Sequence, residues 1–276
     1  MGRPKGSKNK KTIQKKRVKT IKKLPTWLII ILVIAIIAFG VWYYFNVYVD
    51  KPNIDNPQDE IKNNVKDGTI YLGKEGTTSP ELKVTFLDLY GNSNNQQIGD
   101  SIFIEYGDID ILIDAGEKAS GSCTVVPFLL EHVEDKKLEM IITTHADSDH
   151  LGGMVGLSGK DMYGALEAPG IEYQYIVDFG YEADSKVYKD YVELRNARVQ
   201  EGATYLSIKE IFNEENLEAA AHFYLGEDMF LDFLDYKTYG MADIDDDNDR
   251  SVSCLLTHGE KKYYYVAILR KKKKAI

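Results

Sequence analysis

The sequence predicts a layered α/β domain preceded by one membrane-spanning helix. Three observations carry that prediction: an uncharged apolar run near the N-terminus, an order of strand, helix and strand in the body, and a crowd of histidines and aspartates at the exit of an interior strand.

The run 27-WLIIILVIAIIAFGVWYYFNVYV-49 holds no charged residue. As a helix it would span roughly 30 Å, the hydrocarbon thickness of a bilayer. It is too long for a signal peptide and too uniformly apolar for a buried core helix. Trp27 stands at one end, and Trp42, Tyr43, Tyr44 and Tyr48 at the other, where amphipathic rings favour the headgroup region. The first 24 residues contain 11 Lys or Arg and no acid, while the whole chain carries a net charge of -9. A basic tail before the span predicts a cytoplasmic N-terminus and an acidic body outside the plasma membrane. The stretch 2-GRPKGSKNKK-11 resembles an AT-hook, a short minor-groove DNA binder; a polybasic segment also serves topology and anionic-lipid attraction without nucleic acid.

The expected organisation is a basic tail over 1–24, the membrane helix over 25–49, a polar linker over 50–80 and the α/β domain over 81–276. The linker reading rests on Pro, Asn, Gly and Ser in 51-KPNIDNPQDE-60 and 73-GKEGTTSP-80. Two cysteines, Cys123 and Cys254, give neither a disulfide framework nor a metal-ligand spacing.

In the body, 83-KVTFLDLY-90, 101-SIFIEYG-107 and 109-IDILIDAG-116 read as an antiparallel start to a sheet. The segment 123-CTVVPFLLEHVED-135 has apolar residues at helical spacing, and 138-LEMIITT-144 is a continuous apolar strand of the kind buried on both faces. Further on, 173-YQYIVDFG-180 reads as a strand and 185-SKVYKDYVELRNARVQEG-202 as a helix closed by Gly202. Strands follow at 221–226 and 229–236, and 251-SVSCLLTHG-259 with 261-KKYYYVAIL-269 forms a hairpin.

The motif His145-Ala146-Asp147-Ser148-Asp149-His150 leaves the carboxyl end of the interior strand, where α/β sheets place their sites. Imidazole and carboxylate are ligands for zinc, and for manganese or iron when carboxylates share the load. In an extended loop His145, Asp147 and Asp149 project to one side and His150 elsewhere. One metal would take His145 and Asp147, a second Asp149 and His150, with Gly152 and Gly153 letting the backbone turn beneath them. The competing reading is a polar capping loop at the start of a helix.

On these residues the sequence resembles the metallo-β-lactamase superfamily, in the HxDxDH form found in the extracellular hydrolase domain of the DNA-uptake protein ComEC and its stand-alone relatives. The resemblance extends to 86-FLDLYGNSNNQQIGDS-101, to 112-LIDAG-116 and to 248-NDRSVSCLLTHGEKKYYYVA-267. It implies an αββα sandwich and two divalent metal ions, zinc or manganese. It makes His145, Asp147, Asp149 and His150 the metal ligands, Asp149 also the catalytic carboxylate, and Asp114 a brace for the metal loop rather than a ligand. Asp88 and Asp100 fall near the site. The implied activity is hydrolysis of a phosphodiester, DNA among the candidates, by water that two cations make acidic.

The family continues with Gly-Asp, then a histidine in HHGS and another near the C-terminus, whereas this chain reads 267-AILRKKKKAI-276. That departure predicts a family domain incomplete at its C-terminus. His132, His222 and His258 read as ordinary surface or packed histidines, and 242-ADIDDDND-249 as a solvated acidic loop. The missing ligands keep a second function open, a non-catalytic binding or scaffold protein of the same fold at the cell surface.

Overall fold

The computed structural model describes residues 65–66, 69–73, 80–89, 99–213, 221–234 and 250–266. The predicted membrane helix, the AT-hook-like stretch, the acidic loop at 242–249 and the divergent end at 267–276 lie outside them. Among the described residues no helix is long and apolar enough to cross a membrane.

Two six-stranded sheets form the body. The first contains β3 (Leu82–Phe86), β4 (Ile102–Tyr106), β5 (Ile109–Ile113), β6 (Lys137–Thr143), β7 (Glu172–Asp178) and β8 (Thr204–Ser207), in that order. β3, β4 and β5 pair antiparallel, β4 and β5 across the short turn at Gly107 and Asp108, and β5 to β8 run parallel. Each parallel step needs a crossover, and helices supply all three.

Between β5 and β6, α1 (Lys118–Ser120) continues through a π-helical turn (Gly121–Val125) into α2 (Val126–His132). α3 (Ser148–Val155) and α4 (Lys186–Gln200) make the next two crossovers. Phe128 of α2 meets Phe103 of β4 edge to face at 5.2 Å, which fixes the helices on one face of this sheet.

The other sheet runs β1 (Val65–Lys66), β2 (Thr69–Tyr71), β9 (His222–Gly226), β10 (Met229–Phe233), β11 (Ser253–His258) and β12 (Lys261–Val266). Its inner face is apolar and buried at Ile70, Phe223, Leu225, Met229, Leu231 and Leu256. Tyr175 of β7 meets Phe223 of β9 at 5.5 Å, so the two sheets pack face to face.

The expected linker therefore stops short of residue 80. Thr69–Tyr71 pairs parallel with β9 and Ile70 is fully buried. The composition of the segment is polar, but one isoleucine at the right register is enough to seat it in the sheet. The sequence reading also passed over β8 and α5 (Ile208–Asn213), because Thr204–Ser207 is short and half polar.

α4 is anchored by one buried carboxylate. Asp178, at the end of β7, accepts hydrogen bonds from Tyr205 (2.7 Å), Arg195 (2.8 Å), Tyr191 (3.1 Å) and the Gly180 N–H (2.8 Å). Arg195 also stacks 4.0 Å above the Tyr205 ring, so the buried charge is both neutralised and fully hydrogen-bonded.

Candidate metal centre

β5 and β6 end side by side, and the chemistry gathers where they stop. Asp114 follows β5 in the left-handed region, φ 57, a conformation an aspartate tolerates better than most residues. Its backbone is clamped: the N–H donates to Ile142 O (2.8 Å) and the carbonyl accepts from Ser101 Oγ (2.9 Å). The carboxylate then faces the exit of β6. Oδ1 accepts the Thr144 N–H at 2.8 Å; Oδ2 accepts the Thr144 hydroxyl at 2.6 Å and His150 Nδ1 at 2.8 Å.

These bonds fix both histidine tautomers. A carboxylate only accepts, so His150 Nδ1 carries a proton and its Nε2 carries the lone pair. The Thr144 hydroxyl has given its one proton to Asp114, so it accepts from His145 Nδ1, 2.9 Å away. His145 Nε2 is consequently also a lone pair. That atom is buried and has no hydrogen-bond partner among the described residues. A buried nitrogen without a donor costs free energy unless something electrophilic meets it.

The two Nε2 atoms point at the two aspartates of the motif. His145 Nε2 lies 3.7 Å from Asp147 Oδ2, and His150 Nε2 lies 4.0 Å from Asp149 Oδ2. Two ligands on one tetrahedral zinc ion stand about 3.4 Å apart, given metal–ligand bonds of about 2.1 Å. The first pair exceeds that spacing by about 0.3 Å and the second by about 0.6 Å, and the two imidazoles are 4.2 Å apart, centroid to centroid. One ligand atom from each of Asp114, His145 and His150 also lies within 4.8 Å of the other two. Asp114 accepts three hydrogen bonds from Thr144 and His150, and through them it orients His150 directly and His145 by way of the Thr144 hydroxyl.

The motif is not a single extended loop. Asp147 stands at the N-cap of α3, and Asp149 and His150 occupy the helix's first turn. Helical geometry, rather than strand alternation, brings His150 back beside His145. Asp147 makes no side-chain cap, which leaves the capping-loop reading without its hydrogen bond.

Gly152 and Gly153 also serve differently from the expected tight turn. Both sit inside α3, and a Cβ on Gly153 would stand 1.9 Å from Ala115 O. They let α3 press against the chain leaving β5, where the Gly153 N–H donates to Gly116 O (2.7 Å) and the Ala115 N–H to His150 O (3.1 Å). Gly99 acts alike, since a Cβ there would stand 1.5 Å from Asp149 O.

Burial, then the neighbouring His150, lowers the His145 pKa against the pull of Asp114, Asp147 and Asp149, which keeps this imidazole neutral. Burial alone would lower His150 too, but the hydrogen bond and charge of Asp114, with Asp149 and Asp100, raise it overall.

A cavity of about 250 Å³ opens beside His150 and Asp114. Asp100 and Thr144 share its polar side, and Phe86, Tyr264 and Tyr265 its apolar side. No lysine or arginine lines it among the described residues. Asp88 is exposed, and neither His222, paired with Asp232, nor His258, packed on Tyr106, lies among the residues of this centre. The sequence reading missed Thr144, whose position next to His145 was visible but whose bond to Asp114 was not. It also missed the Val252 N–H, which donates to Thr144 O (2.8 Å) and pins the loop to the second sheet.

Residues 95–218 match the family model of the metallo-beta-lactamase superfamily. By that match this part of the chain is similar to metallo-beta-lactamase superfamily domains. Among solved structures the chain is similar to the metallo-beta-lactamase fold protein YhfI from Bacillus subtilis, with 17% identity and a TM-score of 0.37. That similarity covers 68% of this chain and 62% of YhfI, so the chain spans about three-fifths of its length. No curated protein matches the chain.

Proposed function

We propose that the protein is a membrane-anchored, metal-dependent hydrolase of ComEC-like type that cleaves a phosphodiester, DNA being the leading substrate, outside the cell. The observation that carries this reading is the buried Nε2 of His145, which has no hydrogen-bond partner and stands beside Asp147, with His150 Nε2 set 4.0 Å from Asp149. His145 and Asp147 would hold one divalent cation, and Asp149 and His150 a second, zinc or manganese in both cases. The bound cations supply charge that polarises the phosphoryl group and makes a water acidic.

The chain's own residues do the rest. Asp114 and Thr144 hold both imidazoles with the lone pair outward, so no rotation is needed before ligation. Asp149, whose side chain is 43% exposed, takes up the proton of the attacking water. Among the described residues the cavity lining offers no lysine or arginine to a phosphate, so cations held by the two His–Asp pairs would supply the positive charge there. The charge-free run at 27–49 and the basic residues before it support the single-pass anchor with the hydrolase domain outside, where DNA taken up during competence would meet it.

Metal analysis of the full-length chain beside His145→Ala, together with hydrolysis of bis(p-nitrophenyl) phosphate and single-stranded DNA, tests the proposal. The expected result is about two zinc or manganese ions per chain, a loss of metal in the variant, and metal-dependent cleavage by the native chain alone. Less than one ion per native chain, or a fully loaded chain that leaves both substrates intact, would replace it with a non-catalytic binding protein. Protease added to intact cells should digest the body and spare the N-terminal tail.

A further inference from the structure

The apolar side of the cavity beside His150 and Asp114 comes from both sheets. β3 and β12 are edge strands of their respective sheets, and Phe86 of one and Tyr265 of the other line that one cavity. Phe86 pairs in register with Ile102 of β4. Alternate side chains of a strand share a face, and Tyr106, in step with Ile102, meets His258 of β11 at 5.7 Å, so Phe86 stands on the face turned to the second sheet. Tyr265 pairs with Cys254, which lies in step with Leu256 on the buried inner face of that sheet. The two rings therefore face one another across the open edge of the sandwich.

Neither is packed as a core ring would be. Phe86 is 71% exposed, more than any other large apolar side chain among the described residues, and Tyr265 is half-buried. Two aromatic faces line a cavity of about 250 Å³, with Asp114 and His150 of the metal centre on its wall.

The charge of the lining selects what can enter. Its carboxylates are Asp100 and Asp114, and among the described residues no lysine or arginine offsets them. Asp114 is engaged with Thr144 and His150, whereas Asp100 is exposed. A phosphate is repelled by such a wall. A flat neutral ring bearing an amino group is favoured, because aromatic side chains stack on every base and a carboxylate accepts from an exocyclic amine. A base inside a duplex has both faces and its pairing edge occupied, so only an unpaired base presents those surfaces.

We propose that the slot between Phe86 and Tyr265 is a nucleobase subsite, which takes an unpaired base beside the scissile phosphate with its amino group towards Asp100. This deepens, and rests on, the reading of the metal centre as a phosphodiester hydrolase. It makes the substrate a single strand and the aromatic pair a determinant of that choice.

A trinucleotide with 2-aminopurine at its centre tests the subsite, since stacking quenches the emission of that base. Phosphorothioate linkages slow its cleavage while it is titrated with the metal-loaded, full-length chain; the same sequence with ordinary linkages serves for cleavage. Native chain is expected to quench the probe, and Phe86→Leu and Tyr265→Leu to bind it about tenfold more weakly. A trinucleotide abasic at its centre should bind the native chain about tenfold more weakly too, and Phe86→Leu should not weaken it further, whereas a merely structural role for Phe86 would weaken both ligands alike. Equal affinity for the two ligands, or binding without quenching, overturns the proposal. Quenched binding without cleavage supports the subsite and removes the hydrolase reading; cleavage indifferent to the central base and to both variants keeps the hydrolase and overturns the subsite. Thermal melting checks that the variants fold, and should Tyr265→Leu not do so, the exposed Phe86→Leu decides alone.

Discussion

Asp110, at the start of β5, and Asp114, just past its end, lie four residues apart, both less than a tenth exposed, and their surroundings are opposite. Asp114 is met by three donors from Thr144 and His150. Asp110 is met by other carboxylates, with no donor for its own. Burial of a carboxylate is therefore neither stabilising nor destabilising in itself. What decides is whether the strands beside it end in donors or in acceptors.

The largest effect expected from that contrast is at Asp114. Asp114→Ala should leave His150 Nδ1 and the Thr144 amide and hydroxyl buried without an acceptor, lowering stability by about 3 kcal/mol. It should also weaken metal binding by about 10- to 100-fold, because the histidines lose their orientation. Chemical denaturation in EDTA and metal titration check the two separately. Gly153→Ala comes next: a Cβ placed 1.9 Å from Ala115 O must push α3 away from the metal loop, at a cost of about 2 kcal/mol in the same denaturation assay.

Asp110 should respond with the reverse sign. Its folded pKa of about 7 stands above an unfolded value of about 4, so between those values the folded chain holds the extra proton. The contribution of Asp110 to stability is then greatest at low pH and falls as pH rises from about 4 to about 7. Asp110→Asn should accordingly stabilise the metal-free chain at pH 8 by on the order of 2 kcal/mol, a difference that shrinks towards pH 5. Equal stabilities at both pH values would show that Asp110 is as well accommodated as Asp114, and the contrast would fail.

The smallest effect is expected at Thr144. Thr144→Val removes only the hydroxyl that relays Asp114 to His145, leaving the direct bond from Asp114 to His150 intact. A loss of about tenfold in metal affinity and about 1 kcal/mol in stability follows from one broken relay. An effect as large as that of Asp114→Ala would mean that the two histidines depend on a single shared bond rather than on two.

The site was legible to the extent that it is local. His145, Asp147, Asp149 and His150 crowd six positions at the end of an apolar strand, and that spacing alone suggested two pairs of ligands. The strands β3 to β7, the helices α2 and α4, and the hairpin of β11 and β12 were equally readable, because period and turn residues are properties of short segments, whereas α3 was read as a loop. Other features were hidden because they join segments far apart in the chain. Thr69–Tyr71 looks like linker until β9 stands beside it, and β8 is four residues that acquire meaning only against β7.

What the sequence determined by itself is the supply: the charge-free run, the apolar strands, the ligand-forming side chains and the glycines that allow α3 to lie close. The tertiary structure decided how that supply is used. It turned the N-cap of α3 so that Asp147 faces His145, fixed both tautomers through Asp114, and assigned the aspartates at the two ends of β5 to opposite environments. The physical reason is that protonation, tautomer and ligand readiness depend on distances of about 3 Å between atoms dozens of residues apart, and no local pattern specifies those distances.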